Sequence, residues 1–166
     1  MARRVFFSFH YDEDIWRASQ IRHVGVTRDW EAAQFLDAAS WEAVKRKGEA
    51  AVTAWIDRQL DGTGVTVVLI GSQTASRKFV NYEIQESHRR GNGLLGIYIH
   101  RLKNQLGQTT TKGSNPFANF TVQVDGLFGP YKQPLSDIYS TYDWEWDNGC
   151  QNIGRWIDDA ARKVGR

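Results

Sequence analysis

The chain has 166 residues, 41% hydrophobic and 24% charged, and its 21 Lys and Arg against 19 Asp and Glu give a net charge of +2. That balance belongs to a folded domain rather than a disordered chain, and the charge is too small to argue for nucleic acid. One cysteine, Cys150, excludes an intrachain disulfide and a cysteine zinc cluster, no apolar run nears the ~18 residues of a membrane span, and the N-terminus lacks a signal-peptide pattern, so a cytoplasmic protein without membrane contact is expected.

Val5–Phe9 is a β-branched and aromatic run that reads as a buried strand. Asp12, Glu13 and Asp14 follow, where carboxylates complement the start of a helix, and Ile15, Trp16 and Ile21 continue it. Gln34–Asp37 is a weaker strand candidate, with Ala38–Trp41 as the loop after it. From Lys47 to Leu60 the apolar positions Ala51, Val52, Trp55, Ile56 and Leu60 recur at helical spacing, and Asp61-Gly62-Thr63-Gly64 ends the helix. Val65–Ile70 is apolar on both faces, as central parallel strands are. Ser76–Arg90 reads as a helix and Leu94–Ile99 as another two-faced strand. The alternation predicts an α/β fold with a mostly parallel sheet and helices on both sides.

Residues 101–140 are rich in Gly, Thr, Asn, Gln and Lys and hold all three prolines. They read as an insertion after the fourth strand, with short strands such as Phe120–Val124. Tyr139–Trp146 is expected to return to the sheet, and Ile153–Val164 to close the chain as an amphipathic helix. With no repeat and no linker, the reading is one domain over 1–166, with 101–140 inserted.

Gly91-Asn92-Gly93-Leu94-Leu95-Gly96 matches G-x-G-x-x-G but follows a helix and opens a strand, the reverse of a dinucleotide fingerprint. His10, His23, His88 and His100 have no metal-ligand spacing, so no metal is expected. His10 and His100 follow strand ends, the edge where open α/β sheets bind ligands. Asp37, Ser40 and Trp41 follow the second strand candidate and stand at that edge with Ser8 and His10, although capping or turn roles would also account for Asp37 and Ser40. Glu83 is the anomaly. With Phe79 at zero on a helical wheel, Val80 falls near ~100°, Ile84 near ~140° and Glu83 near ~40°, inside the apolar arc, while Gln85 at ~240° falls outside. A carboxylate aimed at a sheet must be paired, protonated or functional, unless it reaches water at the rim of the arc.

Four blocks together resemble the TIR-like proteins of bacterial Thoeris anti-phage defence, the ThsB group: Arg4-Val5-Phe6-Phe7-Ser8-Phe9-His10-Tyr11, Phe35-Leu36-Asp37-Ala38-Ala39-Ser40-Trp41-Glu42, Val68-Leu69-Ile70-Gly71-Ser72-Gln73-Thr74 and Val80-Asn81-Tyr82-Glu83-Ile84. Gly113-Ser114-Asn115-Pro116-Phe117 and Tyr142-Asp143-Trp144 also fit, so the resemblance runs the length of the chain. It implies a flavodoxin-like, TIR-like three-layer sandwich with a five-stranded sheet of order 2-1-3-4-5. It also implies cleavage of NAD between nicotinamide and ribose, as by a NAD glycohydrolase or ADP-ribosyl cyclase. Glu83 falls on the family's catalytic glutamate, while Phe79 and Val80 replace the Trp and Cys that usually precede it.

From that resemblance, Phe6, Trp41 and Tyr82 are expected to stack on the substrate's rings, and Ser8, His10, Asp37 and Ser40 to hydrogen-bond its ribose or phosphates. Arg77 or Lys78 would meet the diphosphate. NAD enters as substrate, with no cofactor. The product, a cyclic ADP-ribose isomer or a related ADP-ribose signal, would activate a separate effector protein. A phage-derived trigger and a homo-oligomer are further expected partners. The alternative is a non-enzymatic TIR-type scaffold that signals by self-assembly.

Overall fold

The computed structural model describes residues 2–24, 30–33 and 38–166. Its centre is β3 (Val65–Ile70), whose six residues are all buried, as a strand covered on both faces requires. β1 (Arg3–Ser8) pairs with it in parallel, Val5 opposite Val65 and Ser8 opposite Val68. β4 (Gly93–Tyr98) lies on its other side, and β7 (Thr141–Asp143) pairs with β4, both in parallel.

The edge strand β2 (Trp30–Ala32) pairs with Arg3–Val5 of β1. The second strand is therefore placed before the expected Gln34–Asp37, which lies outside the described residues. A three-residue edge strand needs no long apolar run; Trp30, 4% exposed, secures it against the Phe7 ring at 5.5 Å. The sheet order β2-β1-β3-β4-β7 is the expected 2-1-3-4-5, with β7 as the fifth sheet strand.

The helices are α1 (Tyr11–Val24), α2 (Ala38–Arg46), α3 (Glu49–Leu60), α4 (Lys78–Arg89) and α6 (Gly149–Lys163), with a short α5 (Leu135–Ile138). Val67 and Leu69 of β3 share a core cluster with Ile21 of α1 and with Ile153 and Trp156 of α6. Val68 and Ile70 point the other way, into a cluster with Val80 and Ile84 of α4. This alternation along one strand makes the three layers. The Ala38–Trp41 loop expected from sequence is instead the first turn of α2. Its alanines favour helix, and the buried Trp41 gives the helix an inward face.

The first half of the insertion is tied to the body of the domain. Arg17 of α1 donates from Nε to the Leu102 carbonyl at 2.8 Å and from Nη2 to the Gln108 carbonyl at 2.9 Å. Asn119 Nδ2 donates to the Ala75 carbonyl at 2.8 Å. Gly113 packs so close to the Gly71 carbonyl that a Cβ would overlap it, so only glycine fits there. Beyond these anchors β5 (Thr121–Gly126) and β6 (Gly129–Pro134) form an antiparallel hairpin with Leu127 and Phe128 exposed at its tip. Among the described residues, no helix is long and apolar enough to cross a membrane.

Candidate active site

The anomalous glutamate points inward. Glu83, on α4, is 3% exposed, whereas Gln85 two residues later is exposed, as the wheel predicts. Its Oε2 accepts a hydrogen bond from Ser8 Oγ at the carboxyl end of β1. Ser8 is itself fully buried. Burial disfavours the charged carboxylate and pushes its pKa from 4.5 up to about 8, and the Ser8 hydrogen bond offsets this only in part. The carboxyl group therefore holds its proton at neutral pH in the free protein.

Glu83 forms part of the wall of a cavity of about 250 Å³ at the carboxyl edge of the sheet. Val80 and Phe79 of α4, Phe9, His10 and Tyr11 after β1, and Trp41 of α2 complete the apolar part of that wall. Phe9 and Tyr11 stack at 4.2 Å, Tyr11 and Trp41 at 4.4 Å, and Phe79 meets the Trp41 ring edge-on at 6.3 Å. Lys45, Arg77 and Lys78 bring positive charge to the same cavity and Asp12 a carboxylate. Lys45 Nζ donates to Asp12 Oδ1 at 3.0 Å and Lys78 Nζ pairs with Glu49 Oε1 at 2.5 Å, so among the described residues Arg77, whose Nη2 donates to Gln73 Oε1, is the cation of this cavity without a carboxylate partner. The hollow is smaller than the ~300–1,000 Å³ typical of ligand sites, so it suits a ring and a sugar with the rest of a larger molecule lying across the rim.

His10 is 8% exposed, and burial, aided by the Arg77 charge, lowers its pKa, so the imidazole is neutral near pH 7. His10 and Trp41 are brought to the cavity, and Ser8 reaches it through Glu83. Phe6 is a core residue, 3% exposed, and does not line the hollow. The Tyr82 hydroxyl donates to Asp57 Oδ1 at 2.9 Å, which turns its ring toward α3 rather than the cavity. Ser40 is half-buried on α2, away from the lining, and Asp37 lies outside the described residues. Phe9, Tyr11 and Lys45 were not singled out from the sequence. Lys45 follows Trp41 by four residues, a same-face relation that shows once Ala38–Arg46 is helical.

A larger hollow of about 690 Å³ lies beyond β4, lined by His100, Arg101 and Trp146 among others. The guanidinium of Arg101 already covers the Trp146 ring at 3.8 Å, and among the described residues that line this space the one acid, Glu145, is exposed. Among the described residues, Glu83 is a buried acid that lines a ring-walled hollow.

A sequence model of the family described as "Thoeris protein ThsB, TIR-like domain" matches residues 6–104, which include every residue of the cavity wall. The chain is also 34% identical over 192 residues to a protein of Bacillus cereus (strain MSX-D12) named "Putative cyclic ADP-D-ribose synthase ThsB1", a match covering 95% of this chain and 100% of the relative.

Proposed function

Since the chain belongs to the TIR-like domain family of Thoeris ThsB proteins, we propose that it consumes NAD, cleaving the bond between nicotinamide and ribose to make a cyclic ADP-ribose isomer or a related ADP-ribose signal. The observation that carries this reading is a buried carboxyl group, Glu83, at a ring-lined hollow of one-nucleoside size. The bound nicotinamide is a cation, and its approach favours loss of the Glu83 proton. When the ribose C1′–nitrogen bond breaks, the electron pair stays with nitrogen and neutral nicotinamide leaves. The positive charge then resides on the sugar, an oxocarbenium-like state. The Glu83 carboxylate, in a water-poor site, stabilises that charge more than it stabilises the substrate. A hydroxyl within the ADP-ribose moiety attacks C1′ to close a ring and releases its proton to solvent; water attacking in its place would give linear ADP-ribose and a proton.

Ser8 positions the carboxylate, Phe79 and Trp41 bound the space for the leaving ring, and Arg77 and Lys78 face the diphosphate. NAD is the substrate and not a resident cofactor. The reaction takes place in the cytoplasm, where NAD is held. The product activates a separate effector protein after a phage-derived trigger has switched the enzyme on, and assembly into a homo-oligomer accompanies that activation. The purified chain is incubated with NAD in lysates of infected and uninfected cells, and products are separated and weighed by mass spectrometry. Nicotinamide and an ion with the mass of cyclic ADP-ribose, rising on infection, are expected. Intact NAD in both lysates contradicts the reading.

A further inference from the structure

His10, Glu13 and Asp14 stand at the junction of β1 and α1, where one ligand atom from each lies within 4.8 Å of the others. Two of the three side chains are buried, Asp14 completely and His10 to 8% exposure. Among the described residues, His10 Nδ1 and Asp14 Oδ2 have no hydrogen-bond partner. Bare polar atoms at such depth are rare, and here two sit in one cluster. They do not satisfy each other through Glu13, whose Oε2 is 3.8 Å from His10 Nδ1, beyond hydrogen-bond reach.

The surrounding contacts orient all three groups. Arg17 Nη1 holds Asp14 Oδ1 at 2.8 Å, which leaves Oδ2 as the unused oxygen. Ser72 Oγ donates to Glu13 Oε2 at 3.1 Å. His10 Nε2 lies 3.7 Å from Asp12 Oδ2, and a carboxylate on that side favours the tautomer whose Nδ1 carries a bare lone pair. Gly71, at the end of β3, lacks the Cβ that would overlap the Asp14 carboxylate. Outer partners that fix a ligand's angle and tautomer are the usual companions of metal ligands. Asp14 shares its charge with Arg17, so Glu13 supplies most of the free negative charge, and the donor set of one imidazole and two carboxylate oxygens suits Mn²⁺ or Zn²⁺.

We propose that His10, Glu13 and Asp14 bind a divalent transition-metal ion, Mn²⁺ or Zn²⁺, beside the Glu83 cavity. His10 is shared between the cluster and the cavity wall, so the ion would stand where a dinucleotide's diphosphate crosses the rim. That role rests on the function proposed above; ion binding itself does not.

The full-length chain, stripped with chelator, is titrated with MnCl₂ while free Mn²⁺ is followed by electron paramagnetic resonance. Zn²⁺ is titrated against a colorimetric chelator. The expected result is one site per chain for at least one ion, weakened tenfold or more in His10→Ala and in Glu13→Gln. Circular dichroism verifies that both variants are folded; Glu13 is exposed, so its exchange leaves the core untouched. No site for either ion in the wild type, as when a buried water occupies the cluster, overturns the proposal. Equal binding by wild type and both variants overturns it too. NAD turnover is measured on the same proteins after infected-cell lysate is added to supply the trigger. An ion site without turnover removes the NAD reading and keeps the ion, whereas turnover with no ion site does the reverse.

Discussion

The Glu83 carboxyl, 3% exposed and hydrogen-bonded to Ser8 Oγ, keeps its proton to about pH 8, while the proposed chemistry uses the carboxylate. The free protein must therefore lose a proton before or during substrate binding. Since kcat/KM reports the free enzyme, it should rise about tenfold per pH unit below about 8 and level off above. The nicotinamide cation favours the carboxylate, so kcat should level off at lower pH than kcat/KM. Initial rates of NAD cleavage between mildly acidic and alkaline pH check both, and a flat profile contradicts them. Ser8→Ala removes the hydrogen bond that pulls this pKa down, so its kcat/KM inflection should move to higher pH and its rate at neutral pH should fall. Helical spacing alone put Glu83 in the apolar arc, because one face of a helix repeats regularly. The same logic could not separate Tyr82, whose ring turns to Asp57, from residues that face the cavity. Nor could it show His10, Glu13 and Asp14 as a cluster: the two acids had a sufficient explanation at a helix start, and the bare His10 and Asp14 atoms emerge only in three dimensions.

At the level of elements, the strands and helices with strong apolar patterns stand close to where the sequence puts them: β1, β3, β4, α3, α4 and α6. The weak patterns failed for physical reasons. β2 has one neighbour and three residues, so the apolar Phe35-Leu36 pair outcompeted it in the reading. α2 buries mainly one large ring, Trp41, and its Ser40 resembled a turn residue. The join between α1 and the insertion was not legible either, since it depends on Arg17, 3% exposed, reaching two backbone carbonyls and Asp14. Replacing Arg17 by Met keeps most of the volume but strands a buried carboxylate and two carbonyls. Removing one partner of a buried pair costs about 3–5 kcal/mol. Urea denaturation of Arg17→Met should show a loss of that order, together with protease cleavage between Leu102 and Gln108. An unchanged midpoint would mean that the insertion is held without it.

For the molecule as a whole, the site is a stability cost. Glu83 has a folded-state pKa of about 8 against an ordinary 4.5, so between these values the folded chain holds a proton that the unfolded chain releases. Stability is therefore full below pH 4.5 for this group and declines as pH rises to about 8. Glu83→Gln has nothing to ionise. It should melt several degrees above wild type at alkaline pH, for a gain of roughly 1–3 kcal/mol, and close to wild type near pH 4.5. Equal melting temperatures at alkaline pH would place the carboxyl in a wetter setting than the cavity wall. The gain in stability follows from burial alone; joined to loss of the reaction, it is what a functional site predicts. The most direct measurement is nicotinamide release from NAD by wild type and by folded Glu83→Gln, side by side in infected-cell lysate at slightly alkaline pH. Release by the wild type and a loss of about 10²–10³-fold or more in the variant is the predicted outcome. Equal release by the two proteins, or none from the wild type, contradicts the account.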